Sequence, residues 1–177
     1  MDDPHLLRED HLPTPFSAAE IRAATRPGHT LRLRLEPAGE EPILRVTRFV
    51  ETDDDGAVQE SQRFTLAGEP LDPEPIRRRS SWLDFQAHAS FPAATTTRTE
   101  ETIDLVFGRF PGLHYAAIDG DRVEHYWFAL ALPGMPVRTE DWEGGELRFA
   151  MTMIDHLPGG SDARPRSTSK GDCAVER

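Results

Sequence analysis

The stretch Tyr126-Trp127-Phe128-Ala129-Leu130-Ala131-Leu132-Pro133-Gly134-Met135-Pro136-Val137 decides the fold. It leaves a turn at Asp119-Gly120 as an aromatic strand and runs into a Pro-Gly-x-Pro break. Proline gives no amide to a sheet ladder, so the break ends a strand or lies at an edge. An Asp-Gly pair between two alternating runs marks a hairpin, because glycine takes the positive φ that a tight turn needs. The runs are Leu113 to Ile118 and Arg122 to Ala129. With Asp119 and Gly120 as the loop, Ile118 pairs with Asp121, Ala116 with Val123 and His114 with His125, while Tyr115 faces Glu124. His114, Ile118, Val123, His125 and Trp127 then share one face of the sheet.

Working outward, the second half reads as an antiparallel meander. Thr95 to Phe107 precedes the hairpin, with Ile103, Leu105 and Phe107 alternating. Met135 to Trp142 and Glu146 to Asp155 flank Gly144-Gly145, and Leu147, Phe149, Met151 and Met153 fall on one face of the last strand.

The first half opens on a helix. Ser17-Ala18-Ala19-Glu20 is a capping box, followed by helix over 17–25 that stops at Arg26-Pro27-Gly28. Leu31, Leu33 and Leu35 alternate with charged residues in a half-buried strand. Strands follow at Ile43 to Glu51 and Val58 to Leu66, joined by an Asp54-Asp55-Gly56 turn of the positive-φ kind. Pro70, Pro73 and Pro75 make 70–80 a turn region ending in Arg77-Arg78-Arg79. Those arginines suggest an anion site or, alternatively, a solvated or internally paired run. Ser81 caps a second helix carrying Trp82, Leu83, Phe85 and Ala89, which ends before Phe91-Pro92.

The spread of fifteen prolines and thirteen glycines over 177 residues favours short strands and many turns within one domain. The expected architecture is α+β: a curved, mostly antiparallel sheet of about seven to nine strands with one or two short helices on its concave face. It occupies 14–157, between a flexible segment 1–13 and a disordered tail 158–177, where polar residues leave too little to bury.

Charge and composition narrow the partners. A net charge of -11 argues against nucleic acid and anionic membrane. The single cysteine, Cys173, excludes an intrachain disulfide framework and a cysteine-rich zinc site. No window approaches the ~18 apolar residues of a membrane span. No basic-then-apolar leader is visible at the start, so the expected location is cytoplasmic.

Catalytic signatures are sparse. There is no G-x-S-x-G elbow, phosphate loop or HExxH motif in the chain. His114 and His125 are the one foothold for a metal-dependent enzyme, the lesser alternative, with Asp155 or His156 as a third ligand, and partly exposed histidines are the plainer reading. No catalytic residue and no cofactor are expected, and the oligomeric state is undetermined.

The aromatic strand carries two readings. In one, Trp127 packs inward, Tyr126 and Phe128 cover the other face, and Trp82, Phe85 and Phe91 complete a filled core. In the other, the sheet wraps a helix around an apolar cavity with Pro133-Gly134-Met135-Pro136 at its mouth. Its candidate lining is Trp127, Ala129, Met135, Met151, Met153, Trp82 and Phe85.

The order of elements, with Tyr126-Trp127-Phe128-Ala129 running into Leu132-Pro133-Gly134-Met135-Pro136-Val137, resembles uncharacterised bacterial β-sheet domains. Phe91-Pro92-Ala93-Ala94-Thr95-Thr96-Thr97 ahead of Gly108-Arg109-Phe110 adds to the resemblance. In architecture it is similar to lipoprotein-carrier domains, where a half-barrel encloses apolar ligands. That resemblance implies a noncatalytic binder of an apolar small molecule; a protein-interaction module using the sheet edge or mouth is the alternative.

Overall fold

The computed structural model describes residues 3–160. One nine-stranded antiparallel sheet, not closed on itself, forms the body of the molecule. Its strands are β1 (Thr30–Pro37), β2 (Ile43–Thr52), β3 (Gly56–Thr65), β4 (Ile76–Ser81), β5 (Thr96–Leu105), β6 (Gly108–Asp119), β7 (Arg122–Ala129), β8 (Arg138–Glu143) and β9 (Glu146–Leu157). They lie in the order β4-β3-β2-β1-β9-β8-β7-β6-β5. Two hairpin meanders therefore run outward from the central β1–β9 pair. Helices α1 (Ala18–Ala24) and α2 (Trp82–Ala87) pack on one face, called inner below.

Local chemistry explains both helices. Ser17 and Ser81 each accept from the backbone amide three residues on, while Glu20 and Asp84 reach back to the cap amides. These reciprocal bonds satisfy donors that a short helix otherwise leaves bare. The segment from α2 to β5 carries the chain from the β4 edge of the sheet to the β5 edge. Phe91, on that segment, packs against Tyr115 and Tyr126 with ring centroids 5.3 and 4.8 Å away.

Residues 3–13, expected to be loosely held, are tied to this segment and to the sheet. The Leu12 amide donates to the Phe91 carbonyl at 2.9 Å, and the Tyr115 hydroxyl donates to the Pro13 carbonyl at 2.7 Å. The expected tail falls outside the described residues from 161 onward.

Three local features differ from the sequence-based expectation. The β6–β7 turn is Gly120-Asp121, not Asp119-Gly120, so His114 lies opposite Trp127, Ala116 opposite His125 and Tyr115 opposite Tyr126. Face assignments survive, because moving the loop by one residue shifts the pairing by two. Gly56 lacks a positive φ. Glycine is needed there for space: a Cβ would collide with the Ser80 carbonyl of β4. Residues 76–81 form edge strand β4 instead of a loop. Its polar sequence hides a strand in which two of the three arginines are matched by carboxylates, Arg77 by Glu51 and Glu60, and Arg79 by Asp53.

The core lies between the inner face and the helices. Leu31, Leu33 and Leu35 of β1, Phe128 of β7, and Met151 and Met153 of β9 are buried there with Ile21 and Phe16. Tyr126 packs against this cluster, so the aromatic strand turns Tyr126 and Phe128 inward and Trp127 outward. No described helix is long and apolar enough to cross a membrane.

Candidate functional site

Strand alternation builds the site. In β2, Ile43, Arg45, Thr47 and Phe49 face inward; the first three lie opposite Leu35, Leu33 and Leu31 of β1, and the Phe49 amide donates to the His29 carbonyl at 2.9 Å. In β9, Met151 and Met153 share that face. A bulge between them and Leu157 then changes the parity: Leu33 pairs with Met153, Arg32 with Asp155 and Leu31 with His156. The extra residue, Ile154, thus turns His156 inward.

Between this wall and the helices lies a cavity of about 580 Å³. Its floor comprises Leu31, Phe49, Tyr126, Phe128, Met151 and Met153, and its roof Ile21 of α1 with Phe85 and Ala89 of the α2 region. Pro133-Gly134-Met135-Pro136 borders it, together with Leu132. Ile76 and Arg78 line the β4 side. Ile76 is 65% exposed, which places the solvent opening there.

Polar side chains gather on the β2–β3–β4 side of the cavity, where Arg45, Thr47, Gln59, Ser61, Arg78 and Ser80 line it, with His29 and His156 on the β1–β9 side. His29 is buried and stacks on Phe49 at 5.3 Å. Its Nε2 lies 2.9 Å from His156 Nε2, so one ring donates to the other. Burial and then the neighbouring His156 pull the His29 pKa down to about 4, and burial also lowers that of His156. His29 Nδ1 is buried without a hydrogen-bond partner, as is Arg45 Nε. The other Arg45 contact is Nη2, 3.7 Å from the Met151 sulfur.

Of the seven cavity candidates, Met135, Met151, Met153 and Phe85 come together here. Trp127 and Ala129 do not line it. Trp127 is turned outward by the β7 pleat, and Ala129 is fully buried opposite Gly112 at the end of β7. Trp82 is buried beneath the α2 start, donates its indole N–H to the Asp53 carbonyl at 2.9 Å, and borders a separate depression with Arg22, Asp53 and Asp54. In that depression Arg22 is already paired with Asp54, and Asp53 with Arg79 of β4.

His114 and His125 lie on the outer face, with His114 Nε2 2.8 Å from His125 Nδ1. Glu101 accepts from Trp127 Nε1 at 3.1 Å and lies 2.7 Å from His114 Nδ1. His114 stacks on Trp127 at 4.4 Å, nearly parallel, and the Arg138 guanidinium sits 4.8 Å from the Trp127 ring centroid. Burial, then His114, lowers the His125 pKa. Burial raises that of Glu101, but the Trp127 and His114 bonds outweigh it and the result is a lowered value. These side chains satisfy one another and brace the outer face. His156, suggested as a third ligand, lies across the sheet from them. Among the described residues, no group of three or more His, Cys, Asp or Glu is arranged to hold a metal.

Arg45 and His29 were not anticipated as site residues. A signal was present in their parity: His29 falls in step with Leu31, Leu33 and Leu35, and Arg45 with Ile43 and Phe49.

No family model matches the chain, and no curated protein matches it.

Proposed function

We propose that this protein is a noncatalytic carrier or receptor that holds an apolar small molecule between its sheet and its two helices. The observation that carries this reading is the cavity of about 580 Å³, whose surface is mainly apolar, from aromatic, aliphatic and methionine side chains, with polar side chains along its β2–β3–β4 side. Volumes of about 300–1,000 Å³ with such linings are typical of small-molecule sites. Methionine suits the role, because its unbranched thioether adapts to irregular apolar shapes. The open, helix-covered sheet supports the architectural likeness to lipoprotein-carrier domains.

The sheet edges favour this reading over strand addition by a protein partner. Edge strand β4 carries Arg77, Arg78 and Arg79, and edge strand β5 carries Arg98, Glu100 and Glu101. Charged residues on an edge oppose pairing with another chain.

Native mass spectrometry of the protein, purified without detergent and then incubated with dodecanol, tests the proposal. The expected result is a one-to-one adduct, or a copurified apolar compound that dodecanol displaces. An apo mass alone under both conditions contradicts it.

A further inference from the structure

The inner ends of two neighbouring arginines are treated differently by the fold. Arg45 of β2 and Arg63 of β3 are direct partners in the sheet register. Arg63 meets Asp72 at two nitrogens, Nη2 to Oδ1 at 2.6 Å and Nε to Oδ1 at 3.1 Å, while its backbone amide donates to the same carboxylate at 2.8 Å. Asp72 is buried and fully used by this pairing.

Arg45 has no such partner. Among the described residues, no carboxylate lies within ion-pair distance of it. Its Nε is buried and unpaired, and its Nη2 reaches only the weak sulfur acceptor of Met151. Guanidinium holds its proton in proteins even where, as here, burial pulls its pKa down. A cation with a buried nitrogen and no counter-charge is costly, and buried polar atoms without partners are rare in folded proteins. A second unpaired polar atom, His29 Nδ1, belongs to a residue on the same cavity wall.

We propose that the cavity selects an acidic amphiphile, whose carboxylate pairs with Arg45 and whose apolar tail lies along Met151, Met153, Phe49 and Phe128. This rests on the reading of the cavity as a ligand site and names the class of ligand. A carboxylate fits the planar guanidinium fork, which presents parallel N–H donors to its two oxygens. Of the two cavity arginines that no carboxylate pairs among the described residues, Arg45 alone has a buried, unpaired nitrogen, so a single negative charge matches it. The neighbouring Arg63 is already neutralised, and Arg78 lies exposed at the rim, where solvent screens it.

The test is titration calorimetry with dodecanoate, dodecanol and dodecylamine at neutral pH, each kept monomeric, on wild type, Arg45→Met and Arg45→Lys. Circular dichroism checks that each variant is folded. Wild type is expected to bind dodecanoate about tenfold or more tightly than dodecanol, the scale of a hydrogen bond to a charged group. Arg45→Met should erase that preference while keeping dodecanol affinity, and Arg45→Lys should restore part of it. Equal binding of dodecanoate and dodecanol by wild type, or a preference for dodecylamine, overturns the proposal and leaves the apolar-site reading standing. Wild-type preference alone decides this if a variant fails to fold. Binding of none of the three overturns both.

Discussion

Arg45 Nη2 points at the sulfur of Met151 from 3.7 Å, a strong donor facing a weak acceptor. In the empty protein this arrangement costs stability, because the guanidinium gives up water for little in return. Arg45→Met fills similar space without the charge and should raise stability by about 1 kcal/mol. Urea unfolding of ligand-free protein measures this. A loss of stability would show that Arg45 has compensation within the fold.

Acid sensitivity should follow from His29. Its folded pKa of about 4 lies below the ordinary 6.5, first because it is buried and then because His156 adjoins it. Above 6.5 the ring is neutral in both folded and unfolded states, so stability is unaffected. Between 6.5 and 4 the unfolded chain takes up a proton that the folded protein refuses. Stability therefore falls with pH through this window, by at most about 1.4 kcal/mol per pH unit from this residue. His29→Phe should flatten that part of the urea-midpoint profile against pH. An unchanged slope between the two proteins refutes the assignment.

Both tyrosines of the chain should resist ionisation. Burial raises the pKa of Tyr126 to about 12, with the nearby Glu124 adding to it, and burial also raises that of Tyr115. Absorbance of tyrosinate during alkaline titration should stay low through the usual range near ~10 and rise only at higher pH or on unfolding. Normal titration of either tyrosine would place it nearer to water than the fold has it.

Close approach of strands should make two glycines intolerant. Alanine at Gly56 meets the Ser80 backbone of β4, and alanine at Gly112 meets Phe128 O at 2.6 Å together with the Ile103 side chain. Each change should destabilise by about 1–3 kcal/mol, the range for overpacking. Gly39→Ala has open space instead and only the strain of a positive φ of 75° to absorb. Thermal unfolding of the three variants gives the ranking, and equal losses at all three would contradict it.

Alternation makes the meander and the residue sets on each face of β1, β7 and β9 readable from the sequence, and the Ser17–Glu20 box and the Ser81 cap mark the two helix starts. It could not say which face of β7 is covered, since Tyr126 and Phe128 are apolar on one side and Trp127 on the other. That choice is made by distant residues, as α1 and α2 place Ile21 and Phe85 over the side of Phe49 and Phe128. Strand β2 misled for the same reason: Leu44 and Val46 look like core positions, yet they face outward and Arg45 faces in. His156 was hidden by the bulge at Ile154, which reverses parity without any glycine or proline to announce it. Strand β4 was hidden by its charges, whose partners lie on β2, β3 and the turn between them.

Three of the four methionines, Met135, Met151 and Met153, line the cavity, and the fourth is Met1. Methyl carbon–proton correlation spectra of methionine-labelled protein, recorded during titration with dodecanoate, therefore report on the site directly. The account predicts saturable shifts of the three cavity methyls. Unmoved cavity methyls in the presence of excess dodecanoate and dodecanol would contradict it.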